Sequence, residues 1–95
     1  MLTGKQKRFL RAMGSERQPE LMVGKGEITA GLVAQAIECL TVRELVKGRV
    51  LPNCLMEPQE VATELADQTD AELVQIIGRN FLLYRRAEEP IIKLP

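Results

Sequence analysis

Residues 21–33 read LMVGKGEITAGLV and carry the signals of a strand, a loop and a helix. The first three residues are apolar and predict a short β-strand. Thr29 is a good N-cap for a helix, because apolar residues follow it at intervals of three to four positions. A strand, a loop with two glycines and a helix in this order are typical of an α/β chain, in which helices connect the strands of one sheet.

The predicted loop from Gly24 to Glu27 has two interpretations. Glycines allow backbone amides to approach a phosphate closely, and both Lys25 and the N-terminus of the following helix contribute positive charge. The GXXG loops of KH-type RNA-binding domains clamp nucleotide backbones in this way. Many strand-to-helix turns also contain glycine, however, and Glu27 would repel a phosphate. The loop alone therefore leaves a phosphate-binding loop and a plain tight turn equally open.

Cap residues and hydrophobic periodicity predict the remaining elements. Thr3 is the expected N-cap of a first helix that Gly14 ends, and Pro58 fits the first turn of a helix with Glu57 as its N-cap. Gly48 interrupts a strand and suggests a bulge or close packing. In chain order the predicted elements are a helix from residue 4 to about 13, a strand at 20–23, a helix from 30 to about 40, a strand at 43–51, a helix from 58, and two strands at 73–77 and 81–85 joined by a hairpin turn.

The order α-β-α-β-α-β-β predicts an α/β fold, in which three helices pack on a four-stranded mixed sheet, within a single domain that spans residues 1–95. We expect two layers or slightly more. If one face of the sheet is partly open, Lys47 and Arg49 would face outward on it. The tail after residue 89 either adds a segment at the sheet edge or extends away from the fold.

The net charge is zero, with 13 basic and 13 acidic residues, but the charges are separated along the chain. The basic first helix is either an ordinary solvated surface or an extension of a phosphate-binding surface beside the loop. The acidic third helix is most simply a solvated face; alternatively it keeps nucleic acid away or attracts a basic protein. The bases of the first helix are Lys5, Lys7, Arg8 and Arg11, and the acids of the third are Glu57, Glu60, Glu64 and Asp67.

The chain lacks the residues that several classes of function need. It has no histidine and only two cysteines, Cys39 and Cys54, so neither a zinc site nor another metal cofactor is expected. No nucleophile constellation or nucleotide fingerprint is present, so we expect no enzyme and no cofactor. Two unpaired thiols favour the cytoplasm, and no apolar run reaches the roughly 18 residues of a membrane span. Tyr84 could stack on a base, although packing at the sheet edge is the favoured interpretation.

Several segments, in the right order, resemble those of one family: residues 2–11, 23–26, 43–47, 73–78, 83–85 and 92–95. The chain resembles the CRM domain, the RNA-binding module named for chloroplast splicing and ribosome maturation, in its stand-alone bacterial YhbY form. The resemblance implies a fold similar to the C-terminal domain of translation initiation factor three, RNA binding without catalysis, and association with precursors of the large ribosomal subunit. Its GxxG loop maps onto Gly24, Lys25, Gly26 and Glu27, with Glu27 in place of the last glycine.

We therefore expect a monomeric cytoplasmic protein that binds ribosomal RNA or pre-large-subunit particles, possesses no metal site, and does not bind membranes. Ribosomal proteins are further candidate partners. The alternative is a protein-interaction adaptor of the same fold that uses its acidic third helix and has little affinity for RNA. The predicted RNA-binding residues are Gly24, Lys25, Gly26, Glu27, Lys5, Lys7, Arg8, Arg11, Lys47 and Arg49.

Overall fold

The computed structural model describes residues 1–26 and 28–95. Within these residues the order of helices and strands is the predicted one. The elements are α1 (Gly4–Ser15), β1 (Leu21–Val23), α2 (Ala30–Arg43), β2 (Leu45–Val50), α3 (Pro58–Thr69), β3 (Glu72–Ile77) and β4 (Asn80–Tyr84).

The four strands form one mixed sheet in the order β1-β2-β4-β3. β1 is parallel to β2, and β4 is antiparallel to both of its neighbours. The hairpin turn between β3 and β4 contains Gly78, whose φ of 57° requires the left-handed conformation that glycine adopts without strain. This confirms the predicted mixed sheet and hairpin, and it places β4 inside the sheet.

The sheet has helices on both faces. α2 and α3 pack on one face, where their apolar residues form a large buried cluster with Val46 and Phe81. α1 packs on the opposite face, where Leu10 joins a smaller cluster that includes Leu45 and Leu82. The fold is therefore three layers deep, because α1 and the C-terminal tail cover much of the face that was expected to be partly open.

Gly14 has a different role from the predicted one. Thr3 caps α1 as expected, since its hydroxyl accepts a hydrogen bond from the Gln6 amide at 3.1 Å. The helix continues through Gly14 to Ser15, however, and a Cβ at residue 14 would lie 2.5 Å from the Leu82 side chain. The prediction that Gly14 ends the helix was wrong: this glycine lets α1 approach the sheet closely.

Gly48 also marks close packing, which was one of its two predicted roles. A Cβ at this position would collide with the ring of Phe81 on the neighbouring strand. The pairing of β2 with β4 is regular, and a register shift occurs instead in β3, between Leu73 and Gln75. The Phe81 ring therefore occupies the space that any larger residue at position 48 would need.

The boundary between α2 and β2 lies later than predicted. The helix was expected to reach about residue 40 and the strand to begin at Arg43, but α2 continues to Arg43 and β2 begins at Leu45. Glu44 lies between them with a φ of 64°, a conformation that costs a non-glycine residue about 1–3 kcal/mol. Other contacts of Glu44 must hold this junction in place.

These contacts come from the C-terminal tail. The buried Glu44 carboxylate accepts hydrogen bonds from the backbone N–H groups of Ala87 at 2.7 Å, Ile91 at 2.8 Å and Ile92 at 2.7 Å. Burial by itself raises the pKa of this carboxyl, but the three donors and the charge of Arg86 outweigh it and leave the pKa below its ordinary value. The tail therefore neither extends the sheet nor trails away, and Ile92 is buried on the α1 face.

We expect Glu44→Gln to lower the free energy of unfolding by about 2 kcal/mol at neutral pH, because charge-assisted hydrogen bonds to three backbone donors are weakened. A carboxyl whose folded pKa is depressed stabilises the protein above its unfolded pKa, and this contribution is lost as the pH falls through the folded pKa. Urea unfolding at several pH values tests this. The difference between the two proteins should shrink below about pH 4; a difference that does not change with pH would contradict the account.

Candidate nucleic-acid interface

The loop after β1 follows the carboxyl end of that strand and leads into α2. Lys25 and Gly26 are exposed, and Gly24 is half-buried. Neither glycine has a positive φ, and an added Cβ would meet its nearest described neighbours at 3.5 Å for Gly24 and 3.7 Å for Gly26, which are ordinary contacts. Within the described residues, then, neither conformation nor packing requires glycine here. This weakens the plain-turn interpretation and favours close approach of a ligand.

The N-terminus of α2 adjoins this loop. The Thr29 hydroxyl accepts a hydrogen bond from the Leu32 amide at 3.1 Å, which confirms Thr29 as the N-cap. The first N–H groups of a helix have no partner within it, and they carry the positive end of the helix dipole. The end of α2 therefore adds positive potential beside the exposed ammonium group of Lys25.

A second basic residue, which the sequence analysis did not assign to the site, lies at the same end of the sheet. Because β4 runs antiparallel to β2, the hairpin before β4 lies beside the end of β2, and the Arg79 carbonyl accepts a hydrogen bond from Val50 N at 2.8 Å. The Arg79 guanidinium, which is exposed, donates to the Leu51 carbonyl at 3.4 Å. The antiparallel hairpin signal could have identified Arg79, once its tip was placed opposite the end of β2.

Lys47 and Arg49 both lie on the α1 face of the sheet, as the strand alternation predicted, but their surroundings differ. Lys47 is half-buried, and its Nζ donates to the carbonyls of Gly14 at 3.2 Å and Arg17 at 3.1 Å. It therefore neutralises the carbonyl end of α1, and it does not face outward on an open sheet. Arg49 lies two residues further on and is exposed, beyond the last turn of the helix.

The predicted basic residues of α1 are spread along the helix and do not cluster beside the loop. The helix begins near the start of β3, where the Leu2 amide donates to the Glu72 carboxylate at 3.1 Å, and it ends beside Lys47. The helix has 12 residues, so its two ends are about 18 Å apart. The exposed bases are Lys5 and Arg8, and the half-buried ones are Lys7 and Arg11.

The two charged helices occupy opposite faces of the sheet. The basic helix α1 lies on one face and the acidic helix α3 on the other, with the sheet between them. Glu60, Glu64 and Asp67 are exposed on α3 as predicted. A polyanion that approaches the α1 face therefore meets local positive charge although the net charge of the chain is zero.

The sequence also assigned roles to Glu27 and Tyr84, and the structure tests only the second. Glu27 lies outside the described residues, so its assignment to the RNA-binding loop stays a prediction from the sequence. Tyr84 is only 5% exposed and packs in the cluster beneath α1. It belongs to the interior strand β4, so the expectation that it packs at the sheet edge was wrong, and its ring is not accessible to a base. Burial, followed by the charge of Glu44, raises the pKa of its hydroxyl.

Residues 1–26 and 28–95 contain no group of three or more His, Cys, Asp or Glu side chains that could hold a metal ion. Cys39 and Cys54 are free thiols, both half-buried. Burial, with a smaller contribution from Glu20, raises the pKa of the Cys39 thiol, which reduces its reactivity. In the part of the chain that the structure describes, no helix has both the length and the apolar character needed to cross a membrane.

Comparisons with known proteins show the family to which the chain belongs. The profile of the CRS1 / YhbY (CRM) domain matches residues 2–85. The chain is 43% identical over 89 residues to a Bacillus subtilis protein named Probable RNA-binding protein YqeI, with 94% of this chain and 93% of the relative covered. It is 34% identical over 94 residues to an RNA-binding protein of Haemophilus influenzae, with 99% of this chain and 95% of the relative covered.

A solved structure supports the fold directly. The solution structure of a Staphylococcus aureus protein, described as a candidate RNA-binding protein, superposes on this chain with a TM-score of 0.82 and 42% sequence identity, and the match covers 100% of both chains. The family and these relatives are described as RNA-binding and not as enzymes, in agreement with the prediction that the chain is not an enzyme. The chain belongs to the CRS1/YhbY (CRM) domain family.

Proposed function

We propose that this protein binds RNA through the surface centred on the loop at Gly24–Gly26. The observation that carries the proposal is that the two loop glycines are required neither by backbone conformation nor by packing within the described residues. Glycines at such positions let a phosphate approach backbone amides, and Lys25 between them supplies the charge. The names of the relatives, which denote RNA-binding proteins, support this choice of ligand.

The RNA backbone would continue from the loop onto the α1 face. Arg49 and Arg79 are exposed bases at the same end of the sheet as the loop, and the bases of α1 extend the positive surface along the helix. Lys47 contributes less, because two carbonyl groups already bind its ammonium group. Phosphate contacts dominate this surface, which predicts strong salt dependence and little discrimination between sequences. The bases of α1 in this assignment are Lys5, Lys7, Arg8 and Arg11.

The physiological RNA in this proposal is ribosomal RNA, within precursors of the large ribosomal subunit in the cytoplasm. The support is the resemblance to stand-alone bacterial YhbY proteins together with a match that spans residues 2–85. The chain would act there as a monomeric single domain. Crosslinking in cells, followed by sequencing of the bound RNA, tests this directly. Enrichment of large-subunit ribosomal RNA is expected, and enrichment of messenger RNA alone would contradict the ribosomal assignment.

The second candidate is a protein-interaction adaptor. The exposed acidic row on α3, which lies on the face opposite α1, is the observation that favours it. In this candidate function the row binds basic ribosomal proteins, and the chain has little affinity for RNA. Affinity purification before and after nuclease treatment separates the two functions. Loss of all partners after nuclease supports RNA binding alone, whereas ribosomal proteins that stay bound support the adaptor.

Glu27→Gln is expected to raise the affinity for single-stranded RNA about fivefold. Two unit charges about 4 Å apart in water repel by about 1 kcal/mol, which corresponds to roughly that factor. Fluorescence anisotropy at fixed salt measures the change. Glu88→Gln, which removes an exposed acid from the tail, is the matched control and should leave the affinity unchanged. Equal affinity of the native protein and Glu27→Gln would mean that this carboxylate does not face the RNA.

A further inference from the structure

A small pocket opens on the sheet where α1 ends. The cavity has a volume of about 190 Å³, and its lining includes Gly14 and Ser15 from the last turn of α1 and Lys47, Gln75 and Asn80 from three strands. The helix stops above the middle of the sheet, so the strand ends nearest to the loop are left uncovered. The pocket is therefore a consequence of where α1 terminates.

The uncovered part of the sheet is one continuous row of paired residues. Met22 on β1 pairs with Arg49 on β2, Arg49 pairs with Asn80 on β4, and Asn80 pairs with Ile77 on β3. Residues paired across neighbouring strands point to the same face. Met22 is 51% and Ile77 is 62% exposed, which is unusual for large apolar side chains in a sheet with helices on both faces. We call these four residues the end row.

Asn80 has an unused hydrogen-bonding atom. Its Oδ1 is buried, yet within the described residues it accepts no hydrogen bond. A buried polar atom without a partner is costly, and native proteins retain few of them. The Asn80 side chain as a whole is only partly buried and lines the pocket, so a turn of its amide group brings Oδ1 to a ligand that donates a hydrogen bond to it.

Lys47 supplies a hydrogen-bond donor on the same wall of the pocket. Its ammonium group has three N–H donors, and two of them are directed to the carbonyls of Gly14 and Arg17. The third donor is left for a ligand. The pocket thus offers an acceptor at Asn80 and a donor at Lys47, between the apolar side chains of Leu82 and Ile77.

A nucleobase combines the properties that this pocket would recognise. It is flat, its faces are apolar, and its edge presents a hydrogen-bond donor beside an acceptor. The cavity is smaller than the roughly 300–1,000 Å³ of pockets for drug-sized ligands, which suits a single ring system. The end row begins two residues before the loop glycine at position 24, and neighbouring strands are about 4.8 Å apart. The pocket on β2, β4 and β3 and the loop after β1 are thus more than one strand spacing apart, so the base in the pocket and the phosphate on the loop belong to nucleotides a few positions apart in one RNA strand.

We propose that this pocket receives one unstacked nucleobase of the single-stranded RNA whose phosphates bind the Gly24–Gly26 loop. The inference rests on the proposed RNA-binding function and specifies its ligand further: the preferred RNA is single-stranded, because the bases of a duplex are paired and cannot enter. Asn80 and Lys47 bind the edge of the base, while Met22 and Arg49 contact the strand between the pocket and the loop.

The test compares the binding of an ordinary RNA strand with that of an abasic strand. The native protein, labelled with ¹⁵N, is titrated with a single-stranded RNA of about 12 nucleotides and with an abasic strand of the same length. Both should shift the backbone amides of the loop. Only the strand with bases should shift the side-chain amide of Asn80. Shifts at the loop but not at Asn80 with either strand would overturn the pocket and leave the proposed function intact, whereas no shifts at the loop with either strand would refute both.

A substitution provides the second measurement. Asn80→Ala removes the unpaired Oδ1, so it should not lower the thermal midpoint, and it should weaken binding of the single strand about fivefold, as the loss of one base contact does. The control is Gln59→Ala on α3, which should change neither property. Unchanged affinity of Asn80→Ala in a folded protein would overturn the inference.

Discussion

Gly48→Val is expected to lower the free energy of unfolding by about 3 kcal/mol, at the upper end of the cost of overpacking a core. The reason is that the Phe81 ring fills the space where a Cβ would be. Both residues belong to interior strands, so neither strand can move aside without breaking pairs with its neighbours. For a protein with a total stability of about 5–15 kcal/mol, a loss of this size clearly lowers the urea concentration at the midpoint of unfolding.

A second substitution separates this collision from a general effect of valine. In a Phe81→Leu background the smaller side chain should leave room, so that Gly48→Val costs about 1 kcal/mol or less there. A double-mutant cycle of these two substitutions measures the coupling free energy between positions 48 and 81. If Gly48→Val costs the same in both backgrounds, the ring of Phe81 is not the reason for glycine at position 48.

Replacing Lys25 and Arg8 together with glutamine is expected to reduce the salt dependence of RNA binding. Each phosphate contact contributes about 0.7 to the slope of log affinity against log salt for a single strand, so two lost contacts reduce the slope by about 1.4. The substitution of Lys25 tests the role of the loop in phosphate binding. The substitution of Arg8 tests whether the bases of α1 belong to the same RNA-binding surface. The measurement is a series of binding isotherms at increasing salt concentration.

The matched control removes one lysine and one arginine that lie away from the loop, beside Phe9 and Met13 of α1 but outside the assigned set of basic residues. Arg43 ends α2, at the opposite end of that helix from the loop, and Lys93 lies near it in the tail. Both side chains are exposed. The double variant Arg43→Gln with Lys93→Gln changes the net charge by the same amount as the double variant at Lys25 and Arg8. The control should alter the slope little. Equal slopes in the two double variants would show that net charge, and not the proposed surface, determines the affinity.

The sequence allowed the order of elements to be predicted because local signals mark their ends. Thr3 and Thr29 cap helices, Pro58 begins one, and Gly78 occupies the hairpin turn. These signals depend on residues near each other in the chain. The mixed sheet then follows from the pattern of connections, since helical crossovers and hairpins each permit few arrangements.

Long-range contacts account for what could not be predicted. Gly14 resembles a helix terminator until Leu82, on a distant strand, is placed against it. The role of Lys47 depends on the carbonyls of Gly14 and Arg17, and the position of the tail depends on the buried carboxylate of Glu44. None of these partners can be identified from spacing along the chain.

The candidate site was predictable in part for the same reason. The loop glycines and Lys25 are adjacent in sequence, so their pattern could be recognised. Arg79 and Asn80 join the same end of the sheet only through the pairing of β2 with β4. The separation of basic and acidic charge onto opposite faces likewise required the packing of α1 and α3, although the charge blocks themselves were evident in the sequence.

Mapping of backbone amide shifts on addition of single-stranded RNA tests the central claim most directly, because it locates the bound surface without any substitution. The largest shifts are predicted at residues 24–26, at the N-terminus of α2, and at Arg49 and Arg79, with smaller ones along α1. Residues of α3 should not shift. Shifts that are confined to α3, or the absence of any shift at the loop when RNA is bound, would contradict the assignment of this loop as the centre of an RNA-binding surface.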